Sequence, residues 1–134
     1  MIGILVVTHG SIGESLLSSA AQILGAPPQQ VAVLSVWRQD DPDDLVLRAR
    51  ELLEGLDAGD GVLVITDIFG ATPGNVVSRL LEDGKVEGVS GASLPMLLRV
   101  LTSRNGALAG AVQRALSGGA EGVVHMNSDR CLDA

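Results

Sequence analysis

The chain has 134 residues, a formal charge of −7, 46% apolar residues and only 1% aromatics. That length suits one domain, residues 1–134, around one core of Leu, Val, Ile and Ala. The acidic balance argues against a nucleic-acid partner, which needs clustered Lys and Arg, and favours protein partners with a basic contact face.

Strand and helix signals then alternate. Ile4-Leu5-Val6-Val7 reads as a short buried strand. It ends at His9, before Gly10, Ser11 and Gly13, and a helix is expected over Ser15–Leu24, stopped by Gly25-Ala26-Pro27-Pro28. Val31–Val36 is the second strand. Asp41 then caps a helix whose first position is Pro42, and Leu45, Ala49, Leu52, Leu53 and Leu56 form its apolar stripe. Gly61–Thr66 is apolar enough for a central parallel strand. Thr72 and Pro73 open the next helix as cap and first position, with Val76, Val77, Leu80 and Leu81 as its buried face. Val86–Ser90 is a weaker fourth strand, followed by helices over Pro95–Thr102 and Ala107–Leu116, the latter closed by Gly118-Gly119. Val123–Met126 is expected as a fifth, edge strand, and the final eight residues as a frayed end. The alternation predicts an α/β, doubly wound, mostly parallel sheet with helices on both faces. No repeat, low-complexity segment or interdomain linker interrupts it.

The single cysteine, Cys131, excludes an internal disulfide and a cysteine-rich metal site, and it is assigned no role. No apolar run approaches the roughly 18 residues that span a bilayer. Ile2–Val7 is too short for a secretion signal and has no basic leader. The expected location is cytoplasmic.

In a parallel sheet the loops after strands one, three and four emerge on one edge, the usual ligand crevice of such folds. His9 and Asp67 therefore meet there. A carboxylate that accepts from one imidazole nitrogen fixes the tautomer and leaves the other nitrogen to attack. Taken alone, Asp67 reads as an Asx-turn acid before Gly70. Gly70, Ala71 and Thr72 set small residues and backbone amides at a helix start, a plausible phosphate cradle, and Gly10 does the same after strand one. Neither a Walker loop nor G-x-G-x-x-G nor G-x-S-x-G is present. Trp37 and Arg38 follow strand two on the same edge, where they either line the site or sit on an exposed loop. His125 reads as a surface or edge-strand histidine.

Three segments, Ile4–Gly10, Thr66–Asn75 and Gly91–Leu97, resemble the mannose-family enzyme IIA domain of the bacterial phosphoenolpyruvate:sugar phosphotransferase system. They keep the family's order and spacing over essentially the whole chain. The D-[IL]-F-G-x-[ST]-P-x-N segment is the most specific. The resemblance implies a phosphotransferase component in which His9 accepts a phosphoryl group from the phosphocarrier HPr and passes it to a IIB domain. The same resemblance implies that Asp67 orients His9, that Gly70 to Thr72 contact phosphate, and that Leu94-Pro95-Met96 border the site. It further implies sheet order 2-1-3-4 and a homodimer in which the last strand, antiparallel at an edge, is exchanged between subunits. Ala71 stands where the family often has Gly, and Gly74 where a bulkier residue is common. No IIB domain is expected in the chain, and neither a metal nor another cofactor. Trp37, Arg38, Phe69, Leu94 and Met96 are expected to form the partner face. Two other readings share the His9 motif: a tetrapyrrole cobalt chelatase-like enzyme, which needs a second histidine ligand, and a signalling module that responds to its own phosphorylation. The sugar, the IIB receiver and the ring nitrogen that carries phosphate are left open.

Overall fold

Ile4-Leu5-Val6-Val7 contains no polar side chain, so a strand built from it needs cover on both faces. The computed structural model, which describes residues 1–129, provides that cover. β1 (Gly3–His9) pairs in parallel with β2 (Val31–Val36) on one side and β3 (Val62–Thr66) on the other, and β3 pairs with β4 (Val86–Val89). The order is β2-β1-β3-β4, as expected. Strand alternation sends Ile4 and Val6 into one core with Ala20, Leu63, Ile65, Met96, Val100 and Ala111. Leu5 and Val7 enter the other, with Leu34, Leu45, Ala49, Val64, Val76 and Val77. The first core lies under α1 (Ile12–Leu24), α4 (Leu94–Leu101) and α5 (Leu108–Glu121), and the second under α2 (Pro42–Leu56) and α3 (Thr72–Ser78). Each fully buried Val, Leu or Ile contributes about 1.5–3 kcal/mol.

Several boundaries differ from the sequence expectation for local reasons. α2 starts as expected, with the Asp41 side chain accepting the Asp43 N–H at 3.0 Å. α1 starts three residues early, at Ile12. Its end is held by the buried Thr8, whose Oγ1 accepts the Gly13 N–H at 2.8 Å. At α3 the cap position falls on Ala71 and Thr72 is already helical, so the Thr72 hydroxyl caps nothing. α3 ends at Ser78, which leaves Leu80 buried but turns Leu81 outward. α5 runs straight through Gly118 and Gly119. These glycines do not close the helix; they let it approach α4. A Cβ on Gly118 would stand 3.1 Å from Arg99 Cβ and 3.3 Å from Met96 Cα.

Among the described residues the expected C-terminal edge strand over Val123–Met126 is not seen. Gly122–His125 is irregular and is followed by a short helix, α6 (Met126–Asp129). Gly122 is packed on α4, where a Cβ would meet Pro95 Cβ at 2.5 Å. A strand left unpaired there would leave its N–H and C=O groups without partners. Val123 and Val124 are exposed, and among the described residues the strand that β4 pairs with is β3, apart from an antiparallel bridge between Glu82 and Val86 at its start. Cys131 lies outside the described residues. Composition did not single out Arg104, which is buried and donates to the carbonyls of Ile2, Gln29 and Gln30, tying the loop after α4 to the starts of β1 and β2.

Candidate active site

The register of the sheet creates the site. His9, the last residue of β1, lies opposite Val36 of β2, and Val7 lies opposite Thr66 of β3. The next residue of each chain direction leads into a loop, and the β3 loop begins with Asp67. Its carboxylate reaches across to His9. Oδ2 lies 2.8 Å from the ring Nδ1 and 3.1 Å from the His9 backbone N–H. Oδ1 accepts the Ile68 N–H at 3.0 Å. Asp67 is thus both the partner of His9 and an acceptor in its own turn. The carboxylate side chain is 12% exposed and the imidazole 46%. Burial alone would raise the Asp67 pKa, but the bonds from the His9 ring, the His9 N–H and the Ile68 N–H outweigh it and hold the carboxyl below its ordinary range. Nδ1 is turned to Asp67, and Nε2 is the ring nitrogen outside that contact.

Gly10 turns the chain out of β1 at φ +48°, where a side chain is strained, and its N–H bonds the Val36 carbonyl at 2.9 Å. The Trp37 ring covers it: a Cβ there would meet Cζ3 at 3.3 Å. Trp37 N–H donates to Asp40 Oδ2 at 2.8 Å, and Asp40 N–H to the Trp37 carbonyl at 3.0 Å, which closes a turn over 37–40. A cleft of about 410 Å³ results, lined by His9, Val36, Trp37, Arg38, Asp40, Pro42 and Thr72. A larger cavity of about 550 Å³ at the opposite end of the sheet is lined by Leu53, Asp57, Val62 and Lys85 among others and includes no histidine.

The other expected site residues divide. Gly70, at φ +89°, and Ala71 form the turn into α3, beside Thr72. Gly74 is small because a Cβ would come within 3.0 Å of the Ile68 carbonyl oxygen. Phe69 is 82% exposed and does not fold back into the core. Met96 corrects the sequence reading: it is 3% exposed, inside the core beneath α4, and offers no partner surface. Leu94 is half-buried against the same core. Ser93 caps α4, its Oγ accepting the Met96 N–H at 3.3 Å, so the helix begins at Leu94, one residue before the expected Pro95, and packs Met96 into the core. His125 lies near the end of the described chain, with Nδ1 2.8 Å from Ser128 Oγ. Among the described residues, no three His, Cys, Asp or Glu side chains gather as metal ligands. Thr8 was missed as a site-supporting residue, although a polar side chain inside an apolar strand was its visible signal.

The family profile described as PTS system fructose IIA component matches residues 3–116. The mannose-specific EIIAB component of the phosphotransferase system of Escherichia coli K12 is 31% identical over 105 residues, covering 78% of this chain and 32% of that protein. The fructose-specific EIIA component of Bacillus subtilis is 30% identical over 105 residues, covering 78% of this chain and 71% of that one. The chain therefore spans about a third of the length of the E. coli relative. The crystal structure of phosphotransferase system component EIIA from Streptococcus agalactiae superposes with a TM-score of 0.85 at 28% identity, covering 96% of this chain and 99% of that one. The four-stranded order and these matches agree, and they do not favour a chelatase: the chain belongs to the EIIA-man family of phosphotransferase-system enzyme IIA components.

Proposed function

We propose that residues 1–134 act as one enzyme IIA domain that takes a phosphoryl group from phospho-HPr onto His9 Nε2 and hands it to a IIB domain. The observation that carries this reading is the 2.8 Å bond between His9 Nδ1 and Asp67 Oδ2. It selects the tautomer with the proton on Nδ1 and the lone pair on Nε2. That lone pair attacks phosphorus of the donor's phosphohistidine. The new N–P bond forms as the old one breaks, and the old bond's electron pair returns to the donor imidazole. The three phosphoryl oxygens move unchanged. Asp67 then offsets the positive charge that develops on the phosphorylated ring. Delivery to the receiver reverses these steps. Gly10 and the Gly70-Ala71-Thr72 turn are read as phosphate contacts by the resemblance, with Gly10 next to His9 in the chain and Thr72 lining the same cleft.

The docking face is read as the exposed residues near the strand tips: Trp37 and Arg38 on the cleft rim and Phe69 on the loop after β3. Small exposed apolar groups ringed by charge suit a transient relay. No helix among the described residues is long and apolar enough to cross a membrane, and a cytoplasmic location follows from HPr as donor. The partner of the open β4 edge is read as a second copy of the chain, whose Val123–Val124 segment would pair there; light scattering that gives a monomer would remove this part. The relay itself is tested by incubating the protein with enzyme I, HPr and labelled phosphoenolpyruvate. Acid-labile label on the wild type and none on His9→Ala is the expected result; label retained on His9→Ala would overturn the assignment.

A further inference from the structure

The cleft beside His9 has an unbalanced charge. Of the described residues that line it, Arg38 is the only Lys or Arg. Arg38 is exposed and forms none of the ion pairs seen among the described residues, which use Met1, His9, Arg79 and Arg99. The nearby Asp40 forms no ion pair with it among the described residues, and its Oδ2 accepts the Trp37 N–H at 2.8 Å. Trp37 anchors the turn against Gly10, so the residue that follows it is carried at a fixed place on the rim. Thr72 lines the same cleft, and its hydroxyl has no capping role. A phosphoryl group on Nε2 would bring up to two negative charges into a cleft that already holds Asp40, with Asp67 behind the ring. Without a cation these charges repel. A guanidinium presents several N–H donors in a plane, which suits phosphoryl oxygens.

We propose that the Arg38 guanidinium is the counter-cation of the phosphoryl group on His9, contacting its oxygens during transfer and in the phosphorylated state. This rests on His9 being the phosphorylated residue. It goes beyond a docking role for the 37–38 rim, and the two roles separate by donor size. The transfer is in-line: the donor N–P bond breaks as the Nε2–P bond forms, and Arg38 gains or loses no proton.

The test measures phosphorylation of wild type, Arg38→Gln and Arg38→Lys by two donors, phospho-HPr and phosphoramidate. The small donor gives up its phosphoryl group by releasing ammonia and makes no protein interface. Expected is about a tenfold slower reaction of Arg38→Gln with both donors, with Arg38→Lys in between; the effect is moderate because the side chain is exposed and screened. The phosphorus resonance of phospho-His9 should also titrate at higher pH in Arg38→Gln, by about half a unit, because a nearby cation favours the dianion. Slowing with phospho-HPr alone would make Arg38 a docking residue and overturn the proposal, as would unchanged rates and an unchanged titration. If the wild type accepts phosphate from neither donor, the reading of His9 fails first and this one falls with it.

Discussion

Asp67 Oδ2 accepts two hydrogen bonds from the same residue, His9: one from the ring at 2.8 Å and one from the backbone N–H at 3.1 Å. The backbone bond fixes the carboxylate against the end of β1, and the ring bond fixes the imidazole against the carboxylate. Ring orientation is therefore set by the sheet register rather than by side-chain rotamers alone. Asp67→Ala should retain the fold but slow phosphoryl transfer about 10²-fold, since tautomer control and charge compensation go together. Asp67→Asn should restore part of the geometry and little of the rate. Rapid-quench measurement of His9 phosphorylation, with circular dichroism as the fold control, checks both. A transfer rate unchanged in Asp67→Ala would remove the orienting role.

The same carboxylate should make stability depend on pH. Burial works to raise its pKa, but its bonds to the His9 ring, the His9 N–H and the Ile68 N–H prevail and lower it. A carboxyl that is more acidic in the folded chain than in the unfolded one stabilises the fold above its unfolded pKa of about 3.9. That contribution is lost as pH falls through the folded value. Urea midpoints of wild type and Asp67→Ala should thus differ near neutrality and converge below about pH 4. A gap that persists undiminished into acid would contradict the assignment.

Thr8 links the site to the core. It is buried in β1, and its Oγ1 accepts the Gly13 N–H that α1 would otherwise leave unpaired. Thr8→Val keeps the shape and deletes the acceptor. The expected cost is about 1–2 kcal/mol in chemical unfolding. Thr8→Ser should cost less than this, having lost only a methyl group.

How far the sequence could be read depended on whether a residue's partner was local. Strand β2 and the start of α2 lay where Val31–Val36 and Asp41-Pro42 put them, because periodicity and a capping acid act within a few residues. The meeting of His9 and Asp67, 58 positions apart, followed from topology, since parallel strands bring their following loops to one edge. Where long-range packing decided the outcome, local reading failed. Gly118 and Gly119 look like a helix stop, yet they serve the contact between α4 and α5. Met96 falls in the helix read over Pro95–Thr102 but was expected on the partner face, whereas that helix turns it into the core. Val123–Met126 has the composition of a strand, but composition does not supply the neighbour that a strand needs.

The α4–α5 contact is testable at Gly118, where an added Cβ would press on Arg99 and the Met96 backbone. Gly118→Leu should destabilise the fold by about 1–3 kcal/mol through overpacking. Gly55, which has open space around it, provides the control: Gly55→Ala should be neutral or slightly stabilising, because alanine favours helix. Equal effects at the two positions would show that the glycines of α5 are not packing residues.

Phe69 gives the clearest separation of stability from function. It is 82% exposed in the loop that follows Asp67, so its removal empties no cavity. Phe69→Ala should change unfolding free energy by no more than about 0.5 kcal/mol. Docking with HPr should suffer instead. The expected signature is a higher KM for phospho-HPr at little-changed kcat, because uniform binding is lost while the chemistry at His9 is intact. With phosphoramidate as donor, which makes no protein interface, Phe69→Ala and wild type should react alike. Amide shifts on addition of HPr should fall on the His9, Trp37 and Phe69 loops. Shifts confined to the exposed face of α2, together with wild-type kinetics for Phe69→Ala, would place the partner elsewhere and remove Phe69 from the docking face.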